Sequence, residues 1–236
     1  MTVSATVMLV TTVVAFLTID GCRKKRVDDD RQQEDTVFLV QLDPKIEEAV
    51  ERIKEKNRIS IDDSTKDKIE NLTNDLAKQH EWVDVDGTKV PLTTKASWDL
   101  REIGKAVIPQ LIDAAATHQD PFVRERTLGT VFIIATKKDK NLIEYLPLFV
   151  RSISDKDAGV RMAAAVHIGN MAIHFRSQND EEKVQQCMPY LIQAMKDENE
   201  RVRASAGHGL FRLGRKDLVP QELIDKYEME RWRRPQ

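Results

Sequence analysis

Three stretches of the chain repeat one another, and that repetition limits the fold more than any other feature. Pro109-Gln110-Leu111-Ile112, Pro147-Leu148-Phe149-Val150 and Pro189-Tyr190-Leu191-Ile192 share one pattern and recur at spacings of about 38 and 42 residues. Each is followed, at near-constant distance, by a Val-Arg pair: Val123-Arg124, Val160-Arg161 and Val202-Arg203. Just before each pair stands a residue suited to capping a helix start, Asp120, Asp157 and Asn199, with Pro121 at the first helical position in the first copy. Small or apolar residues then continue at helical spacing, as Thr127, Leu128 and Val131, as Ala164, Ala165 and Ile168, and as Ala206, Gly207 and Leu210. Each unit reads as helix, capped turn, helix. A single pair cannot hide its apolar face from water, so neighbouring pairs must stack.

The flanks extend the pattern. Ala96 to Gly104 reads as the end of a preceding second helix, and Leu218 to Ile224 as the first helix of a degenerate closing unit. Composition agrees with helices whose outer faces are solvated: charged residues make up 32%, aromatics 6%, and there are only 9 Gly. The predicted fold class is all-α, a short α-solenoid with an N-terminal helical hairpin and one small β-hairpin. The formal net charge of -2 provides no overall cationic field to displace counterions from phosphates, so a nucleic-acid partner is not expected.

Proline and leucine in the first helix, Asp-x-Asp-x-x-Val-Arg at the turn and a small-residue second helix resemble HEAT repeats. The similarity is to the bacterial HEAT-like repeat associated with phycobilisome lyases, over roughly residues 93 to 226. The resemblance implies a ladder across neighbouring repeats, formed by each turn Arg and the Asp six residues before it. Asp155 with Arg161 and Asp197 with Arg203 fit that ladder, whereas His118 replaces the Asp before Arg124. Arg124, Arg161 and Arg203 are therefore expected to be structural. The resemblance also implies that second helices line a concave face, with Thr130, Ile133, His167, Asn170, His174 and Arg212 pointing outward as a partner-contact surface.

Residues 1–21 carry a strongly apolar run from Val3 to Leu17, costly to leave in water and too strictly N-terminal for ordinary core. Ile19-Asp20-Gly21-Cys22 resembles the bacterial lipoprotein signal, which implies lipidation of Cys22 as the mature N-terminus. Asp20 and the lack of an early basic residue depart from that pattern. An uncleaved single-pass anchor, with Arg23-Lys24-Lys25-Arg26 holding the following chain on the cytoplasmic side, and a spurious upstream start stay open beside it. Residues 22–35 are polar and read as a disordered tether. The expected location is the cell envelope, with the domain membrane-anchored in the periplasm or another extracytoplasmic space.

Residues 36–95 read as an N-terminal cap. A brief apolar run, Thr36 to Leu42, precedes Asp43-Pro44, a helix start whose stripe is Ile46, Ala49, Val50 and Ile53. A second helix begins near Asp63 or Ser64 with Ile69, Leu72 and Leu76, and the bland reading of the two is a helical hairpin closing one end of the solenoid. Asp86-Gly87 between short β-prone runs marks a hairpin turn. The repeats then occupy 96–226, and 227–236 form a C-terminal tail.

Enzymatic alternatives find little support. Asp84-Val85-Asp86-Gly87-Thr88 matches the first motif of haloacid-dehalogenase-type phosphatases, in which Asp84 would attack phosphate and Asp86 shuttle the proton around a magnesium ion. That chemistry needs an apolar strand before the motif and a parallel α/β domain after it, and the chain supplies Gln79-His80-Glu81 and helical repeats. An EF-hand fails because Lys95 stands where the bidentate Glu belongs. His167 and His174 share one helix face about 10 Å apart, too far to bind one metal. No pigment or di-iron ligand set is legible, so the expectation is a non-catalytic module without a cofactor, binding a protein partner; a HEAT-like lyase or hydrolase with an unrecognised site stays open as the alternative.

Overall fold

The computed structural model describes residues 43–138 and 141–232. Cys22, the segment 1–21, the tether 22–35 and the apolar run 36–42 lie outside the described residues, as does the tail beyond 232. The described chain is mostly helical, with one two-stranded antiparallel sheet.

Helix α1 (Pro44–Lys56) opens on Asp43, whose side chain accepts from the Lys45 amide at 3.0 Å. Helix α2 (Asp63–Asp75) opens on Asp62, which accepts from the Thr65 amide at 2.8 Å. These two helices do not form the end-capping hairpin expected from the sequence, because their main packing partners are not each other. α2 packs on the next helix, α3 (Leu92–Ile103), while α1 lies against α4 (Ile108–Thr117) and α6 (Leu146–Ser152). Val50 and Ile53 are its buried stripe, Lys54 pairs with Asp113 at 2.7 Å, and the Tyr145 hydroxyl donates to Asn57 Oδ1 at 3.3 Å. An amphipathic stripe announces a face to be buried but not the surface that will cover it.

Strands β1 (Trp82–Val85) and β2 (Thr88–Pro91) pair antiparallel, with Val85 opposite Thr88. Asp86 and Gly87 both have positive φ, 51° and 80°, the signature of a tight hairpin turn whose twist suits the strands. The Asp84 carboxylate accepts from the Gly87 amide at 2.8 Å. The acid of the phosphatase-like motif is thus engaged in the turn, and the sheet behind it is a two-stranded antiparallel hairpin rather than a parallel α/β layer.

After α3 the chain breaks at Gly104, whose φ of 84° ends the helix. The remaining helices are α5 (Pro121–Lys138), α7 (Ala158–Ser177), α8 (Glu181–Ala194), α9 (Glu200–Arg212) and α10 (Gln221–Trp232). In the first two units a short 3-10 turn leads into α4 and α6, each with Pro in its first turn where no amide bond is lost. The third unit differs: α8 begins earlier, so Pro189 falls inside the helix. Helices α3, α5, α7 and α9 form a continuous row in which each touches the next, and α10 packs on α9. Val123, Val160 and Val202 are all fully buried.

The three turns share one construction. Asp120, Asp157 and Asn199 accept from the amides of Phe122, Gly159 and Arg201 at 2.9, 2.8 and 2.9 Å. Two residues earlier, Asp155 and Asp197 accept from the amides of Asp157 and Asn199, both at 2.8 Å. At the same place in the first turn, the His118 ring nitrogen Nδ1 accepts from the Asp120 amide at 3.1 Å. Each turn Arg hydrogen-bonds the carbonyls five and six residues back, as Arg124 does with Gln119 and His118, Arg161 with Lys156 and Asp155, and Arg203 with Glu198 and Asp197. Arg124 and Arg161 also reach forward to the next turn, forming two-pronged pairs with Asp155 (2.8 and 2.7 Å) and Asp197 (2.8 and 3.0 Å).

Past residue 226, where the sequence suggests that the repeats give way to a tail, helix α10 continues without a break to Trp232. Tyr227 explains the continuation: it is buried, and its hydroxyl donates to the Ala204 carbonyl of α9 at 2.6 Å.

Candidate functional site

Helices α7 and α9 approach closely where Gly169 faces Gly209. A β-carbon placed on Gly209 would lie 3.2 Å from the Gly169 Cα, and one on Gly169 would lie 3.3 Å from the Gly209 Cα. Absent side chains at that crossing leave a cleft of about 280 Å³ between α7, α9 and α10, with the two glycines in its floor. Val166, Asn170 and Ile173 line the α7 side, Ser205, His208 and Arg212 the α9 side, and Lys226 and Tyr227 the α10 side. The spacing of Val166, Asn170 and Ile173 places them on one face of α7. The Tyr227 hydroxyl bond to Ala204 fixes the α10 wall, and its ring meets His208 edge-on at 5.3 Å between centroids.

Of the six residues expected to form a contact surface, the cleft unites two, Asn170 and Arg212. Thr130 does not belong to any surface: it is 2% exposed, and its hydroxyl donates to the Arg126 carbonyl of its own helix. Ile133 is half-buried on α5, away from the cleft. His167 is half-buried and packs its ring against both Phe132 and Phe149, at ring-centroid distances of 4.9 and 5.5 Å. Its Nδ1 is enclosed without a hydrogen-bond partner, and burial pushes the imidazole pKa down to about 4. His174 lies half-buried beside Gln178, 3.1 Å from its amide nitrogen.

Sequence reasoning missed Val166, Ile173, Ser205, His208, Lys226 and Tyr227. An available signal was Val166 with Ile173: two aliphatic residues seven apart on the face opposite the buried Ala165 and Ile168 stripe. Nothing local marked Lys226 and Tyr227, because their place depends on α10 folding back onto α9.

The turn arginines occupy the other side of the picture. The Arg124 and Asp155 side chains are 3% and 13% exposed, and those of Arg161 and Asp197 are 11% and 9%. The Asp155 carboxylate raises the Arg124 pKa against the opposing effect of burial. Such enclosed guanidinium groups, bonded both within their own turn and to the next, present little to a partner.

Among the described residues, no group of three or more His, Cys, Asp or Glu side chains is arranged to hold a metal ion, and no helix is long and apolar enough to cross a membrane. Comparison of the sequence with family models and with curated proteins returns no match.

Proposed function

We propose that this chain is a non-catalytic scaffold: a short HEAT-type solenoid, tethered to a membrane by its N-terminal segment, that binds a protein partner through the face formed by α7, α9 and α10. The repeated turn construction, with its capped starts and forward-reaching Arg-Asp pairs, supports the HEAT-type reading. One observation carries the binding role. The cleft opens on the row of second helices and is lined by polar groups beside a partly exposed aliphatic strip, the mixture found at protein contacts. The Asp84 carboxylate, bound into its hairpin turn, is the strongest argument against the phosphatase alternative.

Photo-crosslinking in the native host tests the binding role. A photoreactive residue at Val166 is expected to give an adduct of one defined mass, lost on Arg212→Glu, while the same residue at Gln186, on the exposed side of α8, gives none. Equal adducts from both positions, or none from either, would remove the assignment. The tether is tested by labelling cells with a fatty acid: Cys22→Ser should abolish incorporation, and a labelled serine variant would sink the lipoprotein reading.

A further inference from the structure

We propose that the cleft between α7, α9 and α10 receives an acidic side chain from an extended segment of the partner, with an aliphatic residue of that segment seated on Val166 and Ile173. The inference rests on the reading of this face as a protein-contact surface and names the chemistry it selects.

Charge is the first ground. Arg212 and Lys226 flank the cleft, and neither has an ion pair or hydrogen bond among the described residues. Their neighbours in sequence are otherwise satisfied: Arg215 pairs with Asp217 at 2.9 Å, and Lys216 with Glu228 at 2.6 Å. Among the described residues no carboxylate lines the cleft, although the chain carries 39 Asp and Glu against 37 Lys and Arg. Cations left unpaired in a concave site raise the local concentration of anions and steer them in.

Geometry is the second. A guanidinium offers a carboxylate two parallel bonds in one plane, and an ammonium adds a point charge beside it. Asn170 and Ser205 supply neutral donors on the facing walls, enough to occupy the remaining lone pairs of a carboxylate. The volume of about 280 Å³ lies at the lower edge of small-molecule pockets, suited to one or two side chains rather than a large cofactor.

The aliphatic strip separates a peptide from a free anion. Val166 is 38% exposed, and Ile173 continues its line along α7 into the cleft. Inorganic phosphate has no use for that strip, whereas a segment in which acidic and aliphatic residues alternate satisfies both sides at once.

The test uses the full-length chain and a fluorescein-labelled peptide, acetyl-Gly-Leu-Glu-Leu-Glu-Gly, read by anisotropy, with backbone amide shifts reporting the site. The acidic peptide is expected to shift amides of residues 166–173 and 204–212, and to bind at least tenfold more weakly to the Arg212→Gln/Lys226→Gln variant. Replacing both glutamates of the peptide by glutamine should weaken binding by a similar factor. Equal binding by the variant, equal binding of the glutamine peptide, or shifts confined to other helices would overturn the proposal. So would displacement of the peptide by phosphate at a concentration below the peptide's own Kd, since that marks a site for small anions. A negative result here beside a persistent Val166 crosslink would leave the contact face intact and discard only its acidic partner. Peptide binding without any crosslink would overturn both, since the acidic segment is assigned to the crosslinked partner.

Discussion

Arg124, on α5, closes a two-pronged ion pair with Asp155 in the turn that starts α7, so the side chain that ties one turn together also fastens it to the next. The same guanidinium holds the His118 and Gln119 carbonyls of its own turn, and Arg161 repeats the arrangement with Asp197. Pairs this enclosed add little net stability when intact, but removing one partner strands the other charge away from water. Asp155→Ala and Asp197→Ala should each lower unfolding free energy by about 3 kcal/mol, as measured by urea denaturation. Arg203 has no next-turn pair among its hydrogen bonds, so Arg203→Ala should cost distinctly less than Arg124→Ala. Equal losses at Arg203 and Arg124 would show that the forward pairs contribute nothing.

His167 makes stability depend on pH. Its folded pKa of about 4 lies below the unfolded value of 6.5, so between those values the unfolded chain takes up the proton first. The contribution is whole above about pH 6.5, is lost as pH falls toward 4, and reaches up to about 3 kcal/mol in total. Because Nδ1 has no partner to lose and the ring already packs against Phe132 and Phe149, His167→Phe should be nearly neutral at pH 7.5. At pH 5 it should be more stable than the wild type. Parallel stability curves for the two proteins from pH 7.5 to 4.5 would refute the assignment.

Two glycines should respond oppositely to alanine. On Gly209 the new methyl meets the Gly169 backbone at 3.2 Å, and a helix axis yields poorly, so a loss of about 1–3 kcal/mol is expected despite better helix propensity. On Gly129 the nearest atom is His167 Nε2 at 3.6 Å, ordinary contact, and Gly129→Ala should gain up to about 1 kcal/mol. Thermal melts of both variants decide the matter through the signs of the two shifts.

Cys187 is fully buried in α8, and burial pushes its thiol up to about 12. In a Cys22→Ser background, a maleimide should leave the folded protein unlabelled at pH 7.5 and react fully once denaturant unfolds it. Fast labelling without denaturant would mean that α8 opens locally.

The sequence by itself determined the helical period, the capped turns at Asp120, Asp157 and Asn199, and the hairpin at Asp86-Gly87. These depend on residues within one turn of each other, where side-chain chemistry and backbone dihedrals decide the outcome locally. The resemblance to helical repeats placed six residues on an outward face, of which Asn170 and Arg212 line the cleft while Thr130 is buried. Tertiary structure alone decided that α1 lies along α4 and α6, that His167 packs against Phe132 and Phe149 while Val166 faces out, and that α10 returns to place Lys226 and Tyr227 beside the cleft. Periodicity fixes a residue's angle around its own helix, but burial depends on which neighbour arrives at that angle. Here the neighbours come from far along the chain: Phe132 and Phe149 pack against His167, Tyr227 reaches Ala204, and Gly169 meets Gly209.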